Sequence, residues 1–340
     1  MSSPISEKNN KLYYVLIFCG ILLIAGILSL FIPTRYFVMS PGLAQELSPM
    51  VTVEEGIKGR TKGDFMLTAV SSRRASVWDY VYITLTRPEG YDLAPIGEEL
   101  PPGVDMEQYL ERMAELMEES KLQAQAVAFR EAGYDVEVSG DGVEVVEIIS
   151  GGSAEDKLKT GDIIVEIDGE EVKFAPDAVK YIRRNDVGDE VEVTVLRNDK
   201  RHSYSLETVE LENAPGKPSI GVLITTKNLE YSFPREVKFE TRNIVGPSAG
   251  SMFALEIYNQ LSSDDITHGR RIAGTGTISS EGEIGRIDGV IQKIMAAEEA
   301  GADMFIVPEE NYQDIKEYKS SIKIVTAGSI EEVVDYLENH

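Results

Sequence analysis

A chain of 340 residues with 42% apolar content is long enough for two domains and a sizeable core. Its 33 basic and 58 acidic residues leave a formal charge of −25, which opposes any nucleic-acid partner and argues for a solvated surface. The single cysteine, Cys19, excludes an intrachain disulfide.

Residues 1–11 form a short polar tail. Residues 12–32, "LYYVLIFCGILLIAGILSLFI", carry no charge over 21 positions. As a helix this run covers roughly 30 Å, the hydrocarbon thickness of a bilayer, and it predicts a single membrane span. Phe18 stands where a lipobox needs a small residue, so Cys19 is not a lipid-anchor site. No short apolar core with a small-residue cleavage site marks a signal peptide, and an uncleaved anchor is expected. Lys8 and Lys11 precede the run and Arg35 follows it. That bias puts the tail in the cytoplasm and the body outside the cell membrane.

Residues 33–133 begin as strands. "MVTVEEG", "DFMLTAV" and "VYITLTR" are short β-branched or aromatic runs. Pro88, Pro95, Pro101 and Pro102 mark a loop-rich interval. A helix is predicted over 105–132, where Leu110, Met113, Met117, Ala124 and Val127 recur at three- and four-residue spacing before Gly133. Its methionine stripe reads as core.

Residues 134–211 form a unit with three strands, "GVEVVEII", "GDIIVEIDG" and "EVEVTVLR", and a helix, "APDAVKYIRRN". The cluster "GGSAEDKLKTGDIIVEIDGEEV" resembles the central signature of PDZ domains. The resemblance implies a sheet edge beside a helix that accepts an extended peptide as an added strand. It also implies that the loop "SGDGV" (139–143) binds a peptide carboxylate, with Gly140, Gly142 and Val143 as peptide-binding residues. Asp141 departs from the Gly-Leu-Gly-Phe of animal PDZ domains. A packing or autoregulatory module is the alternative.

Residues 212–340 alternate strands and helices, and α+β is the predicted class. "SIGVLITT", "REVKFET", "RIAGTGTIS", "DMFIVP" and "IKIVTA" read as strands. "SAGSMFALEIYNQL", "DGVIQKIMAAEEAGA", "ENYQDIKEYKS" and "SIEEVVDYLEN" read as helices. Gly246-Pro247-Ser248-Ala249-Gly250 fits G-x-S-x-G, the nucleophile elbow of α/β-hydrolases. That mechanism needs a histidine base. His202 lies upstream, His340 is terminal, and His268 sits in a polar loop 20 residues after the serine.

A lysine is the other base. It must be neutral at working pH, which burial among apolar groups favours. Lys293 meets that condition, since it borders the stripe Ile287, Val290, Ile291 and Ile294 and is flanked by Val290 and Ala297. Lys316 and Lys319 lie among charged residues. A lysine on an apolar flank can also simply snorkel.

"GPSAGSMFALEIYNQL" followed by "RIAGTGTISSEGEIGRIDGVIQKIMAAEEAGADMFIVPEEN" resembles the proteolytic domain of Lon-type serine proteases over about 218–340. The resemblance implies a Ser–Lys dyad of Ser248 and Lys293, 45 residues apart. It makes Thr275 the support of the dyad and the backbone N–H groups of Ser248 and Ala249 the oxyanion hole. Val245 replaces the aspartate common three residues before the serine. No G-x-x-x-x-G-K-[ST] run occurs, so ATP is not an expected partner, and neither a cofactor nor a metal is expected.

The order of anchor, strands, PDZ-like unit and Lon-type domain is similar to the membrane-anchored, PDZ-containing Lon-like proteases of Gram-positive bacteria, some of which mature secreted peptide signals. "YFVMSPGLAQEL" and "GDFMLTAV" fit that group too. The resemblance implies an inserted PDZ domain, peptide or unfolded-protein substrates and a homo-oligomer. The rival readings are a membrane-tethered PDZ scaffold with an idle protease fold, and an α/β-hydrolase acting on a small ester.

Overall fold

A computed structural model of the chain describes residues 5–56, 62–99, 104–211, 214–241 and 244–340. The chain forms two compact units. One combines Met1–Asp135 with Pro234–His340, and the other is Val136–Phe233. Both are mixed α and β.

The first unit is built on a six-stranded sheet in the order Lys323–Ala327, Met304–Pro308, Arg271–Gly274, Asp64–Ser76, Pro33–Glu46, Asp92–Pro95. The first four strands run parallel. The last two pairings are antiparallel. Parallel strands need crossovers and are covered on both faces, which explains the unbroken apolar run of Met304–Pro308, all of it buried. The crossover before that strand is the helix Val290–Glu299. Strands from before and after the second unit therefore share one sheet.

The helix Met106–Glu131 starts at Asp105, whose carboxylate accepts from the Gln108 N–H while the Gln108 side chain accepts from the Asp105 N–H. Met117, Ala124 and Val127 are buried as expected, whereas Leu110 is exposed. The expected strand "VYITLTR" is instead part of a helix, Val77–Thr86. Ser76 and Asp79 form a reciprocal capping box at its start, and Arg87 closes it in the left-handed conformation. Local capping outweighs the β-branched composition there. "ENYQDIKEYKS" yields only a 3₁₀ turn, Glu309–Asn311, and a short helix, Tyr312–Ile315. "RIAGTGTIS" breaks at Thr275-Gly276 between Arg271–Gly274 and Thr277–Ile278.

The apolar run near the start lies in a helix, Ile5–Ser29, which begins in the polar tail and ends before the run does. Among the described residues no helix is long and apolar enough to cross a membrane.

The second unit has a sheet in the order Lys200–Glu207, Glu190–Arg197, Ile163–Ile167, Val143–Ile148, Val222–Thr226, with the helix Ala175–Arg183. Its core gathers Val143, Val145, Ile164, Ile167, Ala178, Ile182, Val193 and Leu206. Asp162, fully buried, is gripped by Arg197 through two bonds of 2.7 and 2.6 Å, which hold its carboxyl below the usual range against the opposing effect of burial. The unit extends to Phe233, beyond 211, because Val222–Thr226 pairs with Val143–Ile148.

Candidate active site

Ser248 lies in a 3₁₀ turn, Pro247–Ala249, that leads directly into the helix Gly250–Leu261. Pro247 suits the first helical position, where an N–H has no acceptor anyway. From Gly250 to Gln260 every residue of the helix is buried. Gly250 permits this depth, because a Cβ there would lie 2.4 Å from Ser120 Oγ and 2.5 Å from Ile278 Cγ2. Ser248 thus stands at the positive end of a rigid helix.

Lys293 arrives from the crossover helix Val290–Glu299. Gly289 starts that helix at φ +68°, and its carbonyl accepts the Lys293 N–H at 3.1 Å. Val290, Ile294 and Ala297 pack into the core with Met66, Ala273 and Phe305. This fixed stripe carries Lys293 into the interior at 3% exposure.

Three side chains then meet. Lys293 Nζ lies 2.7 Å from Ser248 Oγ and 2.9 Å from Thr275 Oγ1, hydrogen-bonded to both. The Thr275 hydroxyl donates to the Ser248 carbonyl at 2.9 Å. Thr275 is fully buried, and its N–H donates to Ile306 O at 3.1 Å, which ties it to the central sheet. The Gly276 N–H donates to the Ser248 carbonyl at 2.8 Å. Serine, threonine and lysine come from three separate elements, yet each is held by backbone pairing or core packing.

Burial pushes the Lys293 ammonium down to about 8, and the carboxylate of Asp288 works against that shift. The amine is therefore far more often neutral near pH 8 than a solvated lysine is. A neutral amine can accept the Ser248 proton while it donates to Thr275. The group opens on a cavity of about 440 Å³ lined by Met39, Thr68, Val70, Val245, Arg286 and Asp288, among others. A second cavity of about 630 Å³ shares Ala69, Val70 and Ile244 with it.

His268 is elsewhere. Its Nε2 pairs with Leu337 O at 3.0 Å, and it does not line the cavity. His268 is therefore not the base that the hydrolase reading needs. Met113, expected to be core, lines the cavity, and its carbonyl accepts the Gly246 N–H at 3.1 Å. Thr68, Val70, Arg286 and Asp288 were not singled out from sequence. Arg286 and Asp288 stand in the turn before the lysine helix, which was the available signal; Thr68 and Val70 reach the site only through sheet order.

In the second unit the strand that follows the expected carboxylate loop is interior to the sheet. Val143 is fully buried, and its strand is paired on both sides, with Thr226 and with Ile164. It cannot take an added strand. Gly140 and Gly142 sit beside it, and the Gly142 carbonyl is already bound by the Lys227 N–H at 2.8 Å. The Asp141 carboxylate accepts from Asn228 at 2.7 Å. The strand at the end of the sheet is Val222–Thr226. Between it and the helix Ala175–Arg183 lies a groove of about 140 Å³ lined by Val179, Ile182, Arg183, Lys217, Ile220 and Ile224. The local sequence of this edge is "SIGV" (219–222), a Gly between apolar residues at a strand start.

The first unit thus carries a buried Ser–Thr–Lys cluster that opens on a cavity, and the second an apolar groove beside the end strand of its sheet. Residues 131–208 match the family described as PDZ domain, and residues 243–339 match the family described as Lon protease (S16) C-terminal proteolytic domain. The chain is 32% identical over 117 residues to Lon protease 2 of Bacillus subtilis, a match that covers 34% of this chain and 20% of that protein. It is 37% identical over 93 residues to the Lon protease of Trichlorobacter lovleyi, covering 26% and 11%. The PDZ domain of the SdrC-like protein from Listeria monocytogenes is 31% identical, covering 26% of this chain and 92% of that one, at a TM-score of 0.24. The chain spans about a fifth or less of the length of the curated relatives cited. It contains a PDZ domain and a Lon-type proteolytic domain.

Proposed function

We propose that the chain is an ATP-independent, membrane-anchored serine endopeptidase that cleaves extracytoplasmic peptides or unfolded segments, including secreted signals. The contact between Lys293 Nζ and Ser248 Oγ carries the reading. Lys293 takes the hydroxyl proton as Ser248 Oγ attacks the scissile carbonyl. The backbone N–H groups of Ser248 and Ala249, at the helix start, receive the developing oxyanion. The proton passes to the leaving amine, and water then hydrolyses the acyl-enzyme. Thr275 holds the lysine in line with the serine.

Two adjoining cavities give an extended chain room on the site. The 340 residues contain no G-x-x-x-x-G-K-[ST] run, which supports peptides and already unfolded segments as the substrates. The groove along Val222–Thr226 binds peptide by strand addition and presents or gates it. The charge-free run at 12–32 and the exposure of Leu16, Ile17, Phe18, Ile21, Leu23 and Ile24 support the anchor. Lys8 and Lys11 against Arg35 support an outward body. A homo-oligomer is proposed from the Lon-type resemblance.

The test uses the full chain in detergent, an unstructured protein substrate and no ATP. Cleavage by the parent and by His268→Ala, lost in Ser248→Ala and Lys293→Ala, supports the dyad. Loss in His268→Ala with Lys293→Ala still active would sink it.

A further inference from the structure

The helix Val77–Thr86 carries Trp78, Val81, Tyr82 and Leu85 at i, i+3, i+4 and i+7, so the four share one side. All four are exposed, Trp78 at 52% and Leu85 at 77%. Ile83 faces away from them and is buried with Val38 and Ala75. The helix is therefore anchored by one side and presents an apolar, aromatic stripe on the other.

Its position is specific. The Val77 N–H donates to Ile32 O at 3.0 Å, and Ile32 ends the charge-free run. Leu30, Phe31 and Ile32 are also exposed. Thr34 Oγ1 donates to Ala75 O at 2.9 Å, and Arg74 Nε donates to Thr34 O at 3.1 Å. The exposed apolar end of the run is thus tied directly to the start of the helix. The chain as a whole is acidic, but the one acidic residue of this helix, Asp79, is paired with Arg73 at 2.7 Å. Arg35, Arg74 and Arg87 are exposed around it. Tryptophan and tyrosine with flanking arginine is the chemistry of the headgroup layer.

We propose that Val77–Thr86 is an interfacial helix that lies in the surface of a lipid bilayer, with Trp78, Val81, Tyr82 and Leu85 inserted to shallow depth. This rests on the membrane-anchor reading. It adds a second contact, which fixes the orientation of the proteolytic unit against the bilayer.

Trp78 is the chain's one tryptophan and serves as its own probe. The full chain is reconstituted in phosphatidylcholine–phosphatidylglycerol vesicles, floated on a density gradient, and its emission compared in plain and shallow-brominated lipid. The expected result is flotation, loss of more than about half the Trp78 emission in brominated lipid and protection from aqueous iodide. Val81→Asp with Leu85→Asp should still float but lose the bromolipid quenching. Flotation with Trp78 unquenched by bromolipid and open to iodide overturns the helix proposal and leaves the anchor standing. Protection from iodide without bromolipid quenching also overturns it, because a second copy then covers the stripe. Failure to float removes the anchor reading, and this inference with it.

Discussion

Lys293 Nζ and Ser248 Oγ are 2.7 Å apart although 45 residues separate them in the chain. The amine must be neutral to accept the hydroxyl proton, and burial places its titration near pH 8. Cleavage should therefore rise with pH through about 8 and fall away on the acid side. A pH profile of kcat/KM checks this. An acid limb centred well below 7 would point to a different base.

The same shift has a stability consequence. The folded pKa of Lys293 lies below its unfolded value, so the unfolded chain binds more protons between about 8 and 10.5. Stability attributable to this group is lowest below pH 8 and rises up to about 10.5. The unfavourable term at neutral pH is on the order of 3 kcal/mol. The parent's Tm should rise between pH 8 and 10, and in Lys293→Met that rise should flatten, as read by calorimetry. An unchanged slope would show that the amine is solvated.

Asp288 opposes the depression of the Lys293 pKa. Asp288→Asn should move the acid limb of the activity profile to lower pH. A limb that moves upward would mean the carboxylate acts on something else.

Thr275 joins the amine to the Ser248 carbonyl. Thr275→Val should lower kcat by about 10²-fold with a smaller change in KM, because a misaligned dyad loses transition-state geometry first. Thr275→Ser should restore most of the rate. Equal loss in both variants would assign the residue to packing.

The groove beside Val222–Thr226 makes a separate prediction. Val179→Glu places a charge on its apolar wall and should weaken peptide binding by about tenfold or more. Asp141→Asn, in the loop read from sequence as the carboxylate site, should leave binding within about twofold. Titration calorimetry with a peptide library hit separates the two; the reverse ranking restores the loop at 139–143.

The sequence by itself determined the candidates for the dyad but not their meeting. Ser248, with small residues around one hydroxyl at a helix start, and Lys293, beside an apolar stripe, are local patterns; their pairing is what the Lon-type resemblance implies. It also determined most strands and long helices, whose periodicity is local. It misread Val77–Thr86, because β-branched composition hid the Ser76–Asp79 capping box. Tertiary structure alone decided which strand borders the groove, since only sheet order shows that Val143 is interior and Val222–Thr226 is an edge. It also decided that Thr68, Val70 and Met113 line the cleft. Those residues reach Ser248 through the order of strands in a sheet and the packing of a distant helix, and neither leaves a mark in local sequence.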